Sequence, residues 1–162
     1  MSPRAAWRLE ELGFNQVYDY VAGKEDWFAS GLPREGTSLE TPWAGDLVRD
    51  VPTCAEDDRV ADLREPVRSG GLDLCVVVNE ARVVLGVVRG DALAKDANAR
   101  ASDVMELGPK THRPNYAIED LLGSRSSDGV KSWLVTTSQG RLLGVLTRED
   151  AERALEESKA AA

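Results

Sequence analysis

Thr147 and Asp150, three positions apart, are the residues of this sequence best suited to chemistry. An apolar run ends at Thr147 and a polar run follows, which predicts a strand and then a helix. The Thr147 hydroxyl can accept a hydrogen bond from a first-turn amide, and Asp150 can reach back to the Thr147 amide, as in a capping box. The same helix end favours a phosphate. The pair predicts either a plain helix cap, stabilising by about 1 kcal/mol, or a ligand site.

The remaining reactive side chains do not form a catalytic or metal-binding set. His112 is the only histidine, and it has no cysteine, histidine or paired acid at the spacing of metal ligands. We expect it to be a partly exposed strand residue. Cys75 lies in an apolar run and predicts a buried apolar side chain, while Cys54 lies in a short segment before a turn. We therefore predict no enzyme activity, no catalytic residue and no metal.

The charge and hydropathy of the chain restrict its partners. A net charge of −8 argues against a nucleic-acid partner, which requires a concentrated basic surface. No apolar run approaches the roughly 18 residues that a membrane span needs, and the first residues lack a signal-peptide hydrophobic region. We expect a cytoplasmic protein with no membrane partner.

An internal repeat positions these residues. Shifting the sequence by 58 residues aligns 53–92 with 111–150 without a gap. The identical pairs fall on glycines and on the apolar faces of predicted elements, as a shared fold requires. The nine identities are Thr53/Thr111, Asp62/Asp120, Leu63/Leu121, Ser69/Ser127, Gly71/Gly129, Val77/Val135, Leu85/Leu143, Gly86/Gly144 and Val87/Val145.

Each copy predicts a short extended segment, a helix, a hairpin of two strands and a closing helix. The first helix is expected to open at Asp57 or Asp58 in copy one and at Asn115 in copy two. Pro66 and the Gly123 region predict that these helices are short or irregular at their C-terminal ends. The hairpin strands are predicted at 74–78 and 83–88, and at 133–137 and 142–147.

The repeat resembles the CBS domain. The stretch 140–150 carries the resemblance best, because it matches the family signature of a glycine, two apolar residues, a threonine and, three positions later, an aspartate. The other matching stretches are 103–105, Thr111 with Pro114, and 129–130 before 133–135. It implies an α/β (α+β) fold in which two β-α-β-β-α repeats are related by a pseudo-twofold axis. Repeat 1 would occupy 45–100 and repeat 2 would occupy 101–162.

The resemblance also implies a function. Such pairs bind AMP, ADP, ATP or S-adenosylmethionine in the clefts between copies and commonly form homodimers. In ligand-binding members the signature threonine contacts phosphate and the aspartate holds ribose hydroxyls. The predicted ligand-binding residues are therefore Thr147, Asp150, Thr111, which matches a cleft-lining position, and Arg148 within the signature.

Copy one departs from the signature. Arg89 stands at the position of Thr147, and Ala92 at that of Asp150, so we predict one adenosyl site per chain. The alternative is a ligand-free dimerisation or protein-interaction module.

Residues 1–44 belong to neither copy. They predict a helix over 5–14 stopped by Gly13, a strand at 16–20 and a helix at 24–30, and this order is similar to the C-terminal piece of a rhodanese domain. The loop that carries the rhodanese cysteine has no counterpart here, so we expect no sulfurtransferase activity. The aromatic side chains are predicted to pack against the repeats or across a dimer; they are Trp7, Phe14, Tyr18, Trp27 and Phe28.

Overall fold

The structure is a computed structural model that describes residues 2–33, 41–94, 96–124 and 127–161. The helices are α1 (Ser2–Glu11), α2 (Gly23–Ala29), α3 (Val60–Ser69), α4 (Gly90–Leu93), α5 (Ala101–Val104), α6 (Ile118–Gly123) and α7 (Arg148–Ala161), with a 3-10 turn at Ala44–Asp46. The strands are β1 (Thr53–Cys54), β2 (Leu74–Val78), β3 (Val84–Arg89), β4 (Glu106–Leu107), β5 (Thr111–His112), β6 (Ser132–Thr136) and β7 (Leu142–Thr147).

Each copy forms its own sheet. The first sheet has the order β1-β2-β3-β4 and the second has the order β5-β6-β7. The pairs β1/β2 and β5/β6 are parallel, and the hairpins β2/β3 and β6/β7 are antiparallel. The predicted β-α-β-β-α order is confirmed in both copies, and every hairpin strand lies within one residue of its predicted bounds.

The hairpin strands are buried on both faces, which explains their unbroken apolar sequences. In β2, Cys75 and Val77 pack with α3, whereas Leu74 and Val76 face the second sheet. The shared core between the sheets joins residues of both copies: Leu74, Val76, Val87, Leu134, Leu142 and Val145. The copies therefore pack sheet against sheet.

The segment ahead of the first strand of each copy crosses to the sheet of the other copy. Arg49, which precedes β1 of copy one, exchanges two backbone hydrogen bonds with Val145 in β7, at 2.8 and 3.0 Å. In the same way β4, which precedes β5 of copy two, pairs with β3 of copy one. Gly86 and Gly144 lie at these two crossings, and a Cβ on Gly144 would clash with the Arg49 carbonyl oxygen. Close backbone approach thus explains why both copies keep this glycine.

The two hairpin loops also meet. The amide of Val84 donates to the Gly140 carbonyl at 3.0 Å, and the amide of Leu142 donates to the Arg82 carbonyl at 2.8 Å. Arg82 and Gly140 are equivalent positions, and both have left-handed backbone, with φ of +60° and +79°. These hydrogen bonds add a backbone link between the copies. The link requires left-handed backbone at Arg82, which is unfavourable for a residue with a side chain.

The expected N-caps are wrong. α3 and α6 begin after Arg59 and Ala117, and neither has a side-chain cap. The Asp58 carboxylate instead accepts from the Ala55 amide at 2.8 Å and closes the turn before α3. α3 also continues past Pro66 to Ser69, whose hydroxyl donates to the Glu65 carbonyl at 2.8 Å. α6 is short, as predicted.

The two helices predicted before the repeats are confirmed as α1 and α2, and Gly13 follows α1 with φ of +93°. The predicted strand at 16–20 is wrong, because this segment forms no ladder with any described strand and an unpaired strand is not stable. No helix among the described residues combines the length and apolar character needed to cross a membrane.

The aromatic side chains of this segment divide into two groups. Phe28 contacts the Trp43 ring edge-to-face at 5.4 Å, and Trp27 contacts Tyr20 at 5.2 Å. Trp7, Phe14 and Tyr18 are exposed, so these three do not pack against the repeats, and their packing across a dimer stays a prediction.

Candidate functional site

Thr147 ends β7 and α7 begins at Arg148, as predicted. The Asp150 amide donates to Thr147 Oγ1 at 3.2 Å, which is the expected cap. The Asp150 carboxylate does not complete a capping box, because it accepts the Thr147 hydroxyl proton at 2.6 Å. Thr147 and Asp150 thus form a closed side-chain pair at the start of α7.

Two arginines add to this pair. The Asp150 carboxylate also forms ion pairs with Arg49 and Arg153, although its own side chain is only 6% exposed. Burial by itself raises the pKa of Asp150, but hydrogen bonds from Thr147, Arg49 and Arg153 lower it overall. Arg49 reaches Asp150 through the segment that crosses to β7. Sequence reasoning missed Arg49 because nothing local in the chain predicts that crossing.

Arg148 lies beside this pair, and its contacts give it a structural role. Its guanidinium donates to the carbonyls of Val130, at 2.8 Å, and of Ser127, and it pairs with Glu152 at 3.3 Å. It also lies 5.3 Å from the centre of the Trp133 ring. These contacts fix the loop that leads into β6. In this structure Arg148 is therefore engaged in holding that loop.

A cavity of about 540 Å³ lies between the copies, and Thr147 lines it. Arg89 and Lys131 contribute positive charge to its wall, and Asp73 contributes negative charge. The lining consists of equivalent residues from the two copies, which places the cavity on the pseudo-twofold axis: Gly71/Gly129, Leu72/Val130, Asp73/Lys131, Leu74/Ser132 and Arg89/Thr147. Thr111 and Asp150 are not among its lining residues; Thr111 lines a separate cavity of about 210 Å³.

The two copies differ at the helix that follows their last strand. In copy one the Asp73 carboxylate lies against Gly90, where it fills the space of a Gly90 side chain. Copy two has Lys131 and Arg148 at these positions. The start of α4 is thus covered by a carboxylate of the protein itself. The sequence shows that copy one lacks the signature, but it does not predict this contact.

His112 lies beside the central cavity and is buried, so the prediction of a partly exposed side chain is wrong. In the β5/β6 ladder it pairs with Val135, a residue of the second core, so its side chain points toward that core. Its ring contacts Tyr116 edge-to-face at 5.3 Å. Burial and then the charge of Lys110 lower the pKa of His112. No hydrogen-bond partner is found for its buried Nε2 among the residues described.

A smaller cavity of about 160 Å³ adjoins the central one. The two share four lining residues, which are Leu74, Arg89, Val130 and Ser132. The other residues that line the smaller cavity are Glu106, Pro109, Lys110, His112, Trp133 and Leu134. The described residues contain no group of three or more His, Cys, Asp or Glu side chains that can hold a metal ion.

Neither a family model nor a curated protein matches this chain. Solved structures do match. One is the CBS domain pair of protein MJ0100 in complex with 5′-methylthioadenosine and S-adenosylmethionine, with a TM-score of 0.61 and 15% identity over 72% of this chain and 98% of that one. The fold is that of a CBS-domain pair. CBSX2 in complex with AMP is similar at a TM-score of 0.63 and 20% identity, over 72% and 98% of the two chains.

A third match is the cytosolic domain of the Mg²⁺ channel MgtE in complex with ATP, at a TM-score of 0.62 and 20% identity. The match covers 68% of this chain but only 48% of that one, so the chain spans about half the length of this channel domain. Identities this low show the CBS-pair fold of the repeats. The similarity of residues 1–44 to a rhodanese and the repeat boundaries at 45–100 and 101–162 stay predictions.

Proposed function

We propose that this CBS-domain pair is a regulatory module, with no enzymatic reaction of its own, that binds one adenosyl ligand per chain in the cleft between its copies. AMP, ADP, ATP and S-adenosylmethionine are the ligands considered. The observation that carries the proposal is the cavity of about 540 Å³ on the axis between the copies. A volume of several hundred Å³ is typical of small-molecule sites. The compared structures hold AMP, ATP, or S-adenosylmethionine with methylthioadenosine.

The charges around the cavity support an anionic ligand. Arg89 and Lys131 outnumber Asp73 in its lining, although the whole chain has a net charge of −8. Cations gathered on one wall of a cleft attract phosphate, because a low-dielectric surround strengthens their field. We therefore assign Arg89 and Lys131 to the phosphate groups.

The hydrogen bonds of Thr147 favour a ribose contact over the phosphate contact predicted from the resemblance. Its hydroxyl proton is already donated to Asp150, at 2.6 Å. A phosphate oxygen can only accept, whereas a ribose hydroxyl can donate to Thr147 Oγ1 or to the carboxylate. We assign Thr147 and Asp150 to the ribose. Arg49, whose side chain is 51% exposed, is then the partner of Asp150 that a ligand displaces.

The difference between the copies supports one site per chain. In copy one the Asp73 carboxylate lies against Gly90, where a second phosphate would approach. A carboxylate and a phosphate at the same place repel each other. Copy two has Lys131 at that position, so the cleft accepts a ligand in one orientation.

Thermal unfolding with AMP, ATP and S-adenosylmethionine tests the proposal. At about 100 times its dissociation constant a ligand stabilises the folded state by about 2.7 kcal/mol. Lys131→Ala should reduce the shift caused by ATP, because it removes a phosphate contact. Lys24→Ala, which removes the same charge in α2, should leave the shift unchanged. No shift of the wild type with any of the three compounds would sink the proposal.

A ligand-free homodimerisation module is the second candidate. Its support is that Thr147, Arg49 and Arg153 already satisfy Asp150, and that Trp7, Phe14 and other apolar side chains of 1–21 are exposed. Light scattering over a range of concentrations separates dimer from monomer. A monomer that binds AMP would reject this second function. A homodimer and a cytoplasmic location stay predictions.

A further inference from the structure

The exposed apolar side chains of the described residues are concentrated ahead of the repeats. Of the nine large apolar side chains that are exposed, two lie in the repeats, Leu107 and Tyr116, and seven lie between positions 7 and 21. The seven are Trp7, Leu9, Leu12, Phe14, Tyr18, Tyr20 and Val21. Single exposed apolar side chains are ordinary, but a concentration of them is typical of an interaction surface.

Helix α1 and the turn after it arrange part of this surface as a stripe. Ala5, Leu9 and Leu12 follow one another at intervals of four and three residues, which places them on one side of a helix. The amide of Phe14 donates to the Leu9 carbonyl at 3.2 Å, so the chain turns back at Gly13 and brings Phe14 beside Leu9. We call Ala5, Leu9, Leu12 and Phe14 the α1 stripe.

The α1 helix is not held by packing within one chain. From Pro3 to Glu11 every side chain is exposed except the half-buried Ala6, so α1 buries no face against the described part of the repeats. Helices shorter than about 12 residues are marginal in water, since the packing of an apolar face supplies most of the stability of a helix. A partner that covers the α1 stripe would supply the missing stability.

The charges along α1 indicate which partner fits. Two arginines come first, Arg4 and Arg8, and two glutamates follow, Glu10 and Glu11. Positive charge near the start of a helix and negative charge near its end are the reverse of what the helix dipole favours. A second α1 that runs in the opposite direction places its glutamates beside the arginines of the first, whereas a parallel one opposes like charges. A twofold axis gives each protomer the same antiparallel contact.

We propose that the α1 stripe is a homodimer interface, outside both repeats, in which α1 packs antiparallel against α1 of a second copy. The surface is separate from the cleft between the copies. The proposal therefore does not depend on an adenosyl ligand, and it rests on the second candidate function, the homodimer, to which it gives a defined interface.

Sedimentation velocity of the full chain over a range of concentrations tests the proposal, with circular dichroism of the same samples. The wild type should form a dimer, and its helix content should rise with concentration as α1 becomes covered. Leu12→Glu should raise the dimer dissociation constant at least about tenfold, because the twofold axis brings two carboxylates into an apolar contact. The unfolding temperature of the monomer should not change, since Leu12 is 61% exposed there.

Leu107→Glu is the matched control, because it makes the same change at a leucine that is 73% exposed in β4. It should leave the dissociation constant of the dimer unchanged. A dimer that Leu107→Glu weakens as much as Leu12→Glu would overturn the inference and leave the homodimer standing, since the repeats would then form the interface. A wild type that stays monomeric would overturn the inference and the second candidate function, whereas AMP binding would still decide the first.

Arg4→Glu tests the direction of the pairing. The change suits the helix dipole, yet it should weaken the dimer about fivefold, because glutamates of the two protomers then face each other. Adding Glu11→Arg should restore the dimer, since opposite charges meet again and the net charge of the wild type returns. A dimer that tolerates Arg4→Glu, or that the second change does not restore, would overturn the antiparallel arrangement.

Discussion

At the scale of single residues, the carboxylate of Asp150 has several partners within the chain. Thr147, Arg49 and Arg153 all bind it, so the side chain has a complete structural role without any ligand. Arg49 and Arg153 are 51% and 57% exposed and can turn toward water at little cost. Under the proposed function, a ribose hydroxyl competes with one of these arginines for the carboxylate of Asp150.

His112 should make the stability of the protein depend on pH. Its pKa in the folded state lies below the ordinary value of 6.5, mainly because of burial. Below about pH 6.5 the unfolded chain therefore binds more protons than the folded protein, and the free energy of unfolding falls as the pH decreases. Urea unfolding of the wild type between about pH 7.5 and 5 should show this fall in the free energy of unfolding, and the fall should be smaller in His112→Phe.

Other charged groups line the two cavities that His112 borders, and they set the control for this prediction. They are Lys110, Arg89, Glu106 and Arg113, and the Tyr116 ring contacts His112 directly. Asp150 does not titrate in this range, because its pKa lies below the ordinary 3.8. An identical pH slope in the wild type and His112→Phe would show that the slope comes from groups other than His112.

At the scale of secondary structure, the two hairpin loops have the same left-handed backbone at equivalent positions but different residues there. The loops of both copies need a left-handed residue, and copy two supplies Gly140 while copy one supplies Arg82. Both carbonyls accept hydrogen bonds from the opposite hairpin, which holds the left-handed backbone in place. The sequence predicts the hairpins because apolar runs flank short polar loops. It does not predict that the loops bind each other.

Arg82→Gly should stabilise the protein by about 0.5 to 1 kcal/mol, because glycine relieves the left-handed strain at a smaller cost in chain entropy. Gly140→Ala should destabilise it by about 1 kcal/mol. A Cβ at Gly140 would meet only Val83 at 3.4 Å, so this loss would come from the backbone and not from a clash. Urea unfolding of both variants measures the two changes. A loss of stability in Arg82→Gly would contradict the expected relief.

At the scale of the whole molecule, the crossing segments turn two similar copies into one unit. The segment at Arg49 extends the sheet of copy two, and β4 extends the sheet of copy one. Ala44, also from the segment before β1, is fully buried in the core of copy two. Each copy therefore completes its sheet and core with the segment that precedes the first strand of the other copy. The Arg49–Asp150 ion pair is a result of this exchange.

Gly144→Ala should destabilise the protein by about 2 kcal/mol, because the new Cβ would press on the backbone carbonyl of Arg49 and separate the crossing segment from β7. Gly86→Ala should cost less, since its Cβ would first meet the flexible Met105 side chain, and the Glu106 carbonyl oxygen, at 2.9 Å, is farther from it than the Arg49 oxygen is from a Cβ at Gly144. Chemical denaturation compares the two variants in one assay. Equal losses, or a larger loss in Gly86→Ala, would show that close approach at Gly144 is not what ties the segment to β7.

The sequence by itself determined the repeat, the β-α-β-β-α order within each copy and the bounds of the hairpin strands, because these follow from local periodicity and from glycines that both copies share. It also identified Thr147 and Asp150 through their three-residue spacing at a strand-to-helix junction. Only the tertiary structure decided that Arg49 binds Asp150, that Asp73 covers the start of α4 and that His112 is buried. These contacts join residues from different elements and form only when those elements pack together, so no local sequence pattern predicts them.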